Sequence, residues 1–384
     1  MNKYIDFQEL VCELKHLRRT GWVLRGIVKA ETVASHSWRM ALMAIKKEKE
    51  LKNMKVDVKH VIRMCLLHDI GEVIIGDIIP EEHQGECINI SNQEKKKREL
   101  AVINDLAIKF DFYELKNVFE EYEEQKTLEA IVVKNLDKLD MLLQAYEYIL
   151  EYNNSALNEF MEYNEKAITL DVFKEDLEEI KRRQFKGEIK KNNFIDFNML
   201  AGKLKHLERS GPKMYGVIDC ETVASHCYRS ALMAICFEDK LKENKVDIDE
   251  VIKMLIVHDI AETIIGDIVP EKWQKGNKIS NEEKQKKEVN ALMLIADEYD
   301  FNYANEVYDK IKSRKTIEAS IAKDIEIFEC IQQAYEYIKK YPHKEILREY
   351  VNFHRPRIVN KFILSLVNEI ELRQNEFLKS KNLI

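Results

Sequence analysis

Apolar side chains recur along this chain at intervals of three and four. Leu10, Leu14 and Leu17 make one stripe, Val61, Met64, Cys65 and Leu67 a second, and Met141, Leu142, Ala145 and Ile149 a third. That spacing puts each set on one face of an α-helix. No convincing strand pattern interrupts them. Ser91 is followed three residues later by Glu94, and Ser280 by Glu283, which is the spacing of a capping box at a helix start. In GDIIP, Gly76 and Pro80 close another helix. Only 11 glycines and 5 prolines leave too few turn formers for a sandwich or barrel, while 45% hydrophobic and 34% charged residues suit amphipathic helices. The predicted fold class is all-α.

The pattern is written twice. IDFQELVCELKHLRRTG from Ile5 recurs as IDFNMLAGKLKHLERSG from Ile195, and ETVASHSWRMALMAI from Glu31 as ETVASHCYRSALMAI from Glu221. HDIGEVIIGDIIP from His68 faces HDIAETIIGDIVP from His258 at the same offset; one residue is then lost, and SNQEKKK at Ser91 meets SNEEKQK at Ser280. A repeat this long is a whole domain and not a solenoid unit. The expected organisation is an N-terminal domain over 1–187, a linker over 188–193 at the end of the basic, glycine-containing stretch FKGEIKKNN, and a C-terminal domain over 194–384.

Charge then narrows the partners. A net charge of −7 supplies no excess of cations for a nucleic acid polymer, although a single nucleotide needs only a few. The seven cysteines show no zinc-knuckle or redox spacing. The start of the chain lacks a signal-peptide pattern and no apolar run is long enough for a membrane span, so a cytoplasmic protein without a membrane partner is expected.

The candidate chemistry sits in polar residues interrupting apolar helices. His68 and Asp69 are adjacent at the end of such a helix, with Glu72 one turn on; His36 lies in ETVASHSWRM; Asp137 lies in VVKNLDKLDMLLQA, flanked by Lys134 and Asp140 at helical spacing. Taken singly, a histidine here is ordinarily a packed core residue and an aspartate a solvated one. Together they offer the nitrogen and oxygen ligands that a water-activating divalent metal needs.

The order of the four, a histidine, a His-Asp pair and a later aspartate, resembles the HD phosphohydrolase superfamily. RTGW at Arg19, then Arg25, ETVASH, HDIGEVIIGDIIP and VKNLDKLDM together resemble its 5'-deoxynucleotidases, which remove phosphate from deoxynucleoside monophosphates. The resemblance covers nearly all of each copy. It implies that His36, His68, Asp69 and Asp137 hold the metal and that Glu72 is the acid/base group, with Asp69 in the catalytic set. It also implies that Asp77 meets the deoxyribose and that Arg19, Trp22 and Arg25 meet the nucleotide. Lys134 adds charge near the phosphate or is simply a solvated helix lysine. Mn, Co and Fe all suit such a donor set. Superfamily members with two metals need further histidines between the His-Asp pair and the last aspartate; only His83, in a charged loop, lies there, so one metal per site is expected. His16 and His206, both in LKHL, read as half-exposed helical residues.

The C-terminal copy departs from this pattern. His226, His258, Asp259, Glu262 and Asp267 remain, but Pro212 replaces Trp22, Tyr215 replaces Arg25, and Glu326 stands opposite Asp137, while Asp324 points elsewhere. A second metal on His226, His258, Asp259 and Glu326 is therefore possible, but nucleotide recognition is not expected there. The copies are expected to form an intramolecular pseudo-dimer, with a higher oligomer still open. Competing readings are a triphosphohydrolase or cyclic-nucleotide phosphodiesterase of the same superfamily, and a nucleotide-sensing module without turnover. Arg19, Arg25 and Lys134 are few cations for a triphosphate.

Overall fold

The computed structural model describes residues 2–79, 90–242 and 245–384. They are helical throughout, with two isolated β-bridges and no strand among the described residues. Pro80, His83 and Cys87 lie outside them. No helix is long and apolar enough to cross a membrane.

Six helices carry the residues of interest: α1 (Val33–Lys46), α2 (Val58–Leu67) and α3 (Leu128–Tyr152) in the N-terminal copy, and α4 (Val223–Cys236), α5 (Ile248–Val257) and α6 (Ile317–Lys340) at the matching places in the C-terminal copy. Within each copy the three pack on one another. α1 starts at a capping box in which Thr32 Oγ1 accepts from the Ser35 amide at 3.2 Å and Ser35 Oγ accepts from the Thr32 amide at 3.0 Å. Ser35 is therefore the third helical residue and Thr32 the cap. α2 is buried nearly all round, so its polar C-terminal neighbour His68 is carried into the interior. α3 is capped by Thr127, whose hydroxyl accepts from the Ala130 amide at 3.2 Å.

Several local expectations change. The Leu10, Leu14 and Leu17 stripe does not share one α-helix: Lys3–Val11 tightens into a 3-10 turn at Cys12–Lys15, where Leu14 and Lys15 are both buried. The boxes at Ser91 and Ser280 are half made. Each serine accepts an amide at 3.1 Å, but Glu94 and Glu283 turn to Arg98 and Lys287, cations one turn along the same helix. Between His68 and Glu72 the α-helix also gives way to three-residue turns, with the Glu72 amide on the Asp69 carbonyl at 3.1 Å. Gly76 closes the next short helix at φ 77°, a conformation that favours glycine.

The two copies share one apolar core, and α1 packs against α4. Their polar contacts are reciprocal. Trp38 Nε1 donates to the Ile256 carbonyl at 2.9 Å and Tyr228 Oη to the Leu66 carbonyl at 3.0 Å; Arg63 pairs with Glu238 at 2.9 Å and Lys253 with Glu48 at 2.6 Å. Each pair exchanges equivalent positions, which is the pattern of an interface with approximate twofold symmetry. The segment after Gly187 is exposed but tethered, since the Lys190 amide donates to Glu179 at 2.8 Å and its carbonyl accepts from Arg183 at 2.9 Å.

Candidate active site

α1, α2 and α3 bring His36, His68, Asp69 and Asp137 to one place. One ligand atom from each of His36, His68 and Asp69 lies within 4.8 Å of the others. Asp137 Oδ1 is 3.5 Å from His36 Nε2. Each ring is set by its other nitrogen: His36 Nδ1 is 2.7 Å from Asp140 Oδ2, and His68 Nδ1 is 3.0 Å from the Cys65 carbonyl. With Nδ1–H donating, both Nε2 lone pairs face the cluster, the tautomer a metal-binding histidine needs. His36 Nε2 is fully buried and has no hydrogen-bond partner. Such an orphan is costly unless something binds there, and two imidazole nitrogens with two carboxylates form a donor set that a divalent transition metal fits.

The carboxylates are held ionised. Burial works against Asp137, but Lys138 at 3.4 Å and Lys134 at 3.5 Å hold it well below the ordinary range. Both lysines and the Tyr122 hydroxyl, at 3.3 Å, engage Oδ2, which leaves Oδ1 toward His36. Asp69 is likewise lowered against burial, by His68 and then Arg19. Glu72 goes the other way. Burial first, then Asp69 and Asp77, push it well above the usual carboxyl value, and its Oε2 is unpartnered.

A cavity of about 430 Å³ opens from this cluster, lined by Arg19, Trp22, Arg25, Asp77 and Lys134 among others, so every expected N-terminal site residue except the buried His36 lines it. Arg19 lies 3.9 Å from Asp69. Asp77 accepts the Thr20 amide through Oδ2 at 2.5 Å. Trp22 is only 1% exposed; its Nε1 donates to Glu31 at 2.9 Å and its ring lies 4.4 Å from that of Phe160. Arg25 pairs with Glu159 and lies over Phe160 at 4.5 Å. Lys95, Lys96 and Lys138 also line the cavity, so cations are less scarce there than the sequence suggests. Each has a carboxylate partner, in Glu99 at 3.6 Å, Glu123 at 3.1 Å and Asp137. Glu99 is itself raised to about 7, chiefly by burial.

Sequence reasoning missed the groups behind the cluster. Asp140, noted only as a neighbour of Asp137, is wholly buried and bound to His36, Arg39 and Lys205. Tyr122 and Lys138 were missed as well. Arg39 had a visible signal, since Arg229 repeats it in the second copy.

The C-terminal copy keeps a triad, with ligand atoms of His226, His258 and Asp259 within 4.8 Å of one another. Glu329 takes the place of Asp140 behind His226. Asp324 does point elsewhere, accepting the Val359 and Asn360 amides at 2.9 and 2.7 Å. The cavity at His258, Asp259, Glu262 and Glu326 has Ile311 where the first has Tyr122. Trp273, Tyr350 and His354 line a separate, largely apolar pocket with Pro212 and Tyr215.

A family model described as HD domain matches residues 11–181 and again 201–362. The chain belongs to the HD domain family and carries that domain twice, and the helical class expected from its sequence stands. The chain is similar to the 5'-deoxynucleotidase HDDC2 of Danio rerio, 38% identical over 164 residues, which is 42% of this chain and 77% of that protein. The Homo sapiens protein of that name is 37% identical over 41% of this chain and 74% of its own length. The 5'-deoxynucleotidase hdd1 of Schizosaccharomyces pombe is 30% identical over 39% of this chain and 74% of its own. A conserved hypothetical protein from Pyrococcus furiosus is 33% identical across 46% of this chain and 99% of that one, with a TM-score of 0.40.

Proposed function

We propose that this chain is a metal-dependent phosphomonoester hydrolase that removes the 5'-phosphate of deoxynucleoside monophosphates in its N-terminal copy. The observation that carries this reading is the buried, unpartnered Nε2 of His36 facing His68, Asp69 and Asp137, which line a cavity of about 430 Å³. The curated relatives named 5'-deoxynucleotidase support the substrate class.

In this reading His36, His68, Asp69 and Asp137 hold one divalent ion, with Mn, Co and Fe the candidates. The ion, when bound, supplies Lewis acidity that lowers the pKa of water and polarises a phosphoryl oxygen. The rest falls to the protein. Arg19 and Lys134 offer their donors to the phosphate. Glu72, kept protonated by burial and by Asp69 and Asp77, gives its proton to the departing 5'-oxygen. Asp77 Oδ1 faces the sugar while Oδ2 stays on the Thr20 amide, and Trp22 with Arg25 bounds the nucleoside end.

The domains are taken as 1–187 and 194–384, joined by 188–193. The reciprocal contacts between the copies support an intramolecular pseudo-dimer in which the C-terminal copy is mainly a structural or regulatory partner. The six described cysteines are free, which supports a reducing compartment such as the cytoplasm. Phosphate release from deoxynucleoside mono-, di- and triphosphates and cyclic nucleotides, with each metal in turn, tests the reading. Turnover confined to monophosphates is expected. Preference for triphosphates or cyclic nucleotides would move the chain to another HD activity, and tight binding without turnover would make it a sensor.

A further inference from the structure

Lys205 belongs to the C-terminal copy, yet its side chain is wholly buried in the N-terminal one. Its Nζ lies 3.1 and 3.3 Å from the two oxygens of Asp140 and 3.0 Å from Gln144 Oε1, and it pairs with Glu31. An ammonium has three donors and no acceptor, so these three residues use it fully. The two carboxylates have different tasks. Asp140 accepts from His36 Nδ1 at 2.7 Å, and Glu31 accepts from Trp22 Nε1 at 2.9 Å.

The geometry points to Lys205 as a positioning residue supplied by one copy to the site of the other: a single cation ties the carboxylate that orients His36 to the carboxylate that orients Trp22. This rests on the metal-site reading above. Without Lys205, Asp140 still has Arg39 in direct contact, whereas Glu31 loses its one side-chain ion pair and keeps the Trp22 indole N–H and the more distant charge of Arg19. A buried carboxylate that loses its direct ion-pair partner no longer has a fixed direction, and its turning away releases its neighbours.

The structure contains its own control. Lys15 makes the mirror contact in the C-terminal copy, with Glu221, Glu329 and, at 2.9 Å, Gln333, and Glu329 holds His226 Nδ1. There the branch to a tryptophan is missing, because Pro212 replaces it. Lys15 and Lys205 are thus matched in burial and in interface role, but only Lys205 reaches the N-terminal site.

The test is Mn(II) binding to the full chain, followed by the electron paramagnetic resonance of the free ion. A His258→Ala background removes the C-terminal site so that one site reports. Lys205→Met is expected to raise the Kd several-fold, because Asp140, the outer partner of the ligating His36, then keeps Arg39 alone as its cation. Lys15→Met should leave it within about twofold, and Lys205→Arg should recover most of the loss. Should Lys205→Met fail to fold by circular dichroism, Lys205→Gln and Lys15→Gln are compared instead. Equal weakening by both lysine changes, or none by Lys205→Met, overturns the positioning role and leaves the metal site standing. A wild-type chain that binds none of Mn(II), Co(II) and Fe(II) by metal analysis overturns the site reading itself and this inference with it.

Discussion

Lys323 Nζ lies 2.6 and 2.7 Å from the two carboxylate oxygens of Glu326. Asp137, at the equivalent place in the N-terminal copy, keeps Oδ1 turned to His36 while Lys134 and Lys138 stand off at 3.5 and 3.4 Å. The longer side chain lets the glutamate wrap its own helix lysine, and Ile327 and Ile311 replace the Lys138 and Tyr122 that would compete for it. The last ligand of the second site is thus engaged elsewhere.

The first expected outcome stems from that difference. His68→Ala or Asp69→Ala abolishes phosphate release and lowers bound metal, since each removes a ligand from a site of four. His258→Ala or Asp259→Ala leaves most of the turnover in place. Phosphate assays with metal analysis on folded variants check both, and a large loss from the second pair would reverse the ranking of the copies.

Why some of this was legible in the sequence and some was not comes down to particular residues. His36, the His68-Asp69 pair and Asp137 interrupt strongly apolar helices, so their placement is odd on its face. Tyr122 looks like any aromatic on the apolar face of its helix, and only the fold aims its hydroxyl at Asp137. Lys15 and Lys205 sit in LKHL, where a lysine beside leucines ordinarily lies along the surface with its charge in water. Their burial needs carboxylates from the opposite copy, which no local pattern reveals. The available signal was that this lysine and the Glu of ETVASH both recur in the two copies.

Glu72 should show its role through the leaving group. Glu72→Gln removes the proton donor but keeps size, and kcat for dAMP is expected to fall on the order of 10²- to 10⁴-fold. A nitrophenyl phosphate, whose phenolate departs without a proton, should lose far less. Equal losses on the two substrates would show that Glu72 does not protonate the leaving oxygen.

His354 makes the C-terminal copy sensitive to acid. Burial first and then Arg357, whose Nη1 is 3.1 Å away, push its pKa down to about 3, and its Nε2 has no hydrogen-bond partner. The unfolded imidazole takes its proton near the ordinary value of about 6.5, so between there and about 3 the unfolded chain binds one proton more. The stability due to neutral His354 is therefore complete above that window and lost as pH falls through it. Between pH ~7.5 and ~5 the loss is about 2 kcal/mol at most. His354→Phe, which suits the neighbouring Tyr350 ring at 4.1 Å, should shrink the difference between urea unfolding curves at those two pH values by that order. An unchanged difference would mean that His354 is already charged in the folded protein.

Sugar selectivity gives the sharpest test of the substrate class. Asp77 is anchored by one oxygen, because Oδ2 accepts the Thr20 amide and the Asp77 carbonyl accepts the Thr20 hydroxyl at 2.7 Å. A carboxylate so fixed presents its other oxygen in one direction, which suits acceptance of a hydrogen bond from the deoxyribose hydroxyl. If the cavity closes around a 2'-deoxy carbon, an added hydroxyl finds no partner, and burying it costs on the order of 1–3 kcal/mol, or roughly 5- to 150-fold in rate. The deoxynucleoside monophosphates dAMP, dGMP and dTMP are expected to exceed their ribose counterparts by at least about tenfold in kcat/KM. Discrimination among bases should be weak, because the partly buried Phe160, backed by the buried Trp22, offers ring surface and no hydrogen-bond code. Asp77→Ala should depress turnover of dAMP far more than that of an aryl phosphate, which has no sugar to hold. Steady-state rates on matched ribose and deoxyribose substrates decide the matter: equal kcat/KM for AMP and dAMP would remove the deoxynucleotide preference while leaving the metal-dependent hydrolase intact.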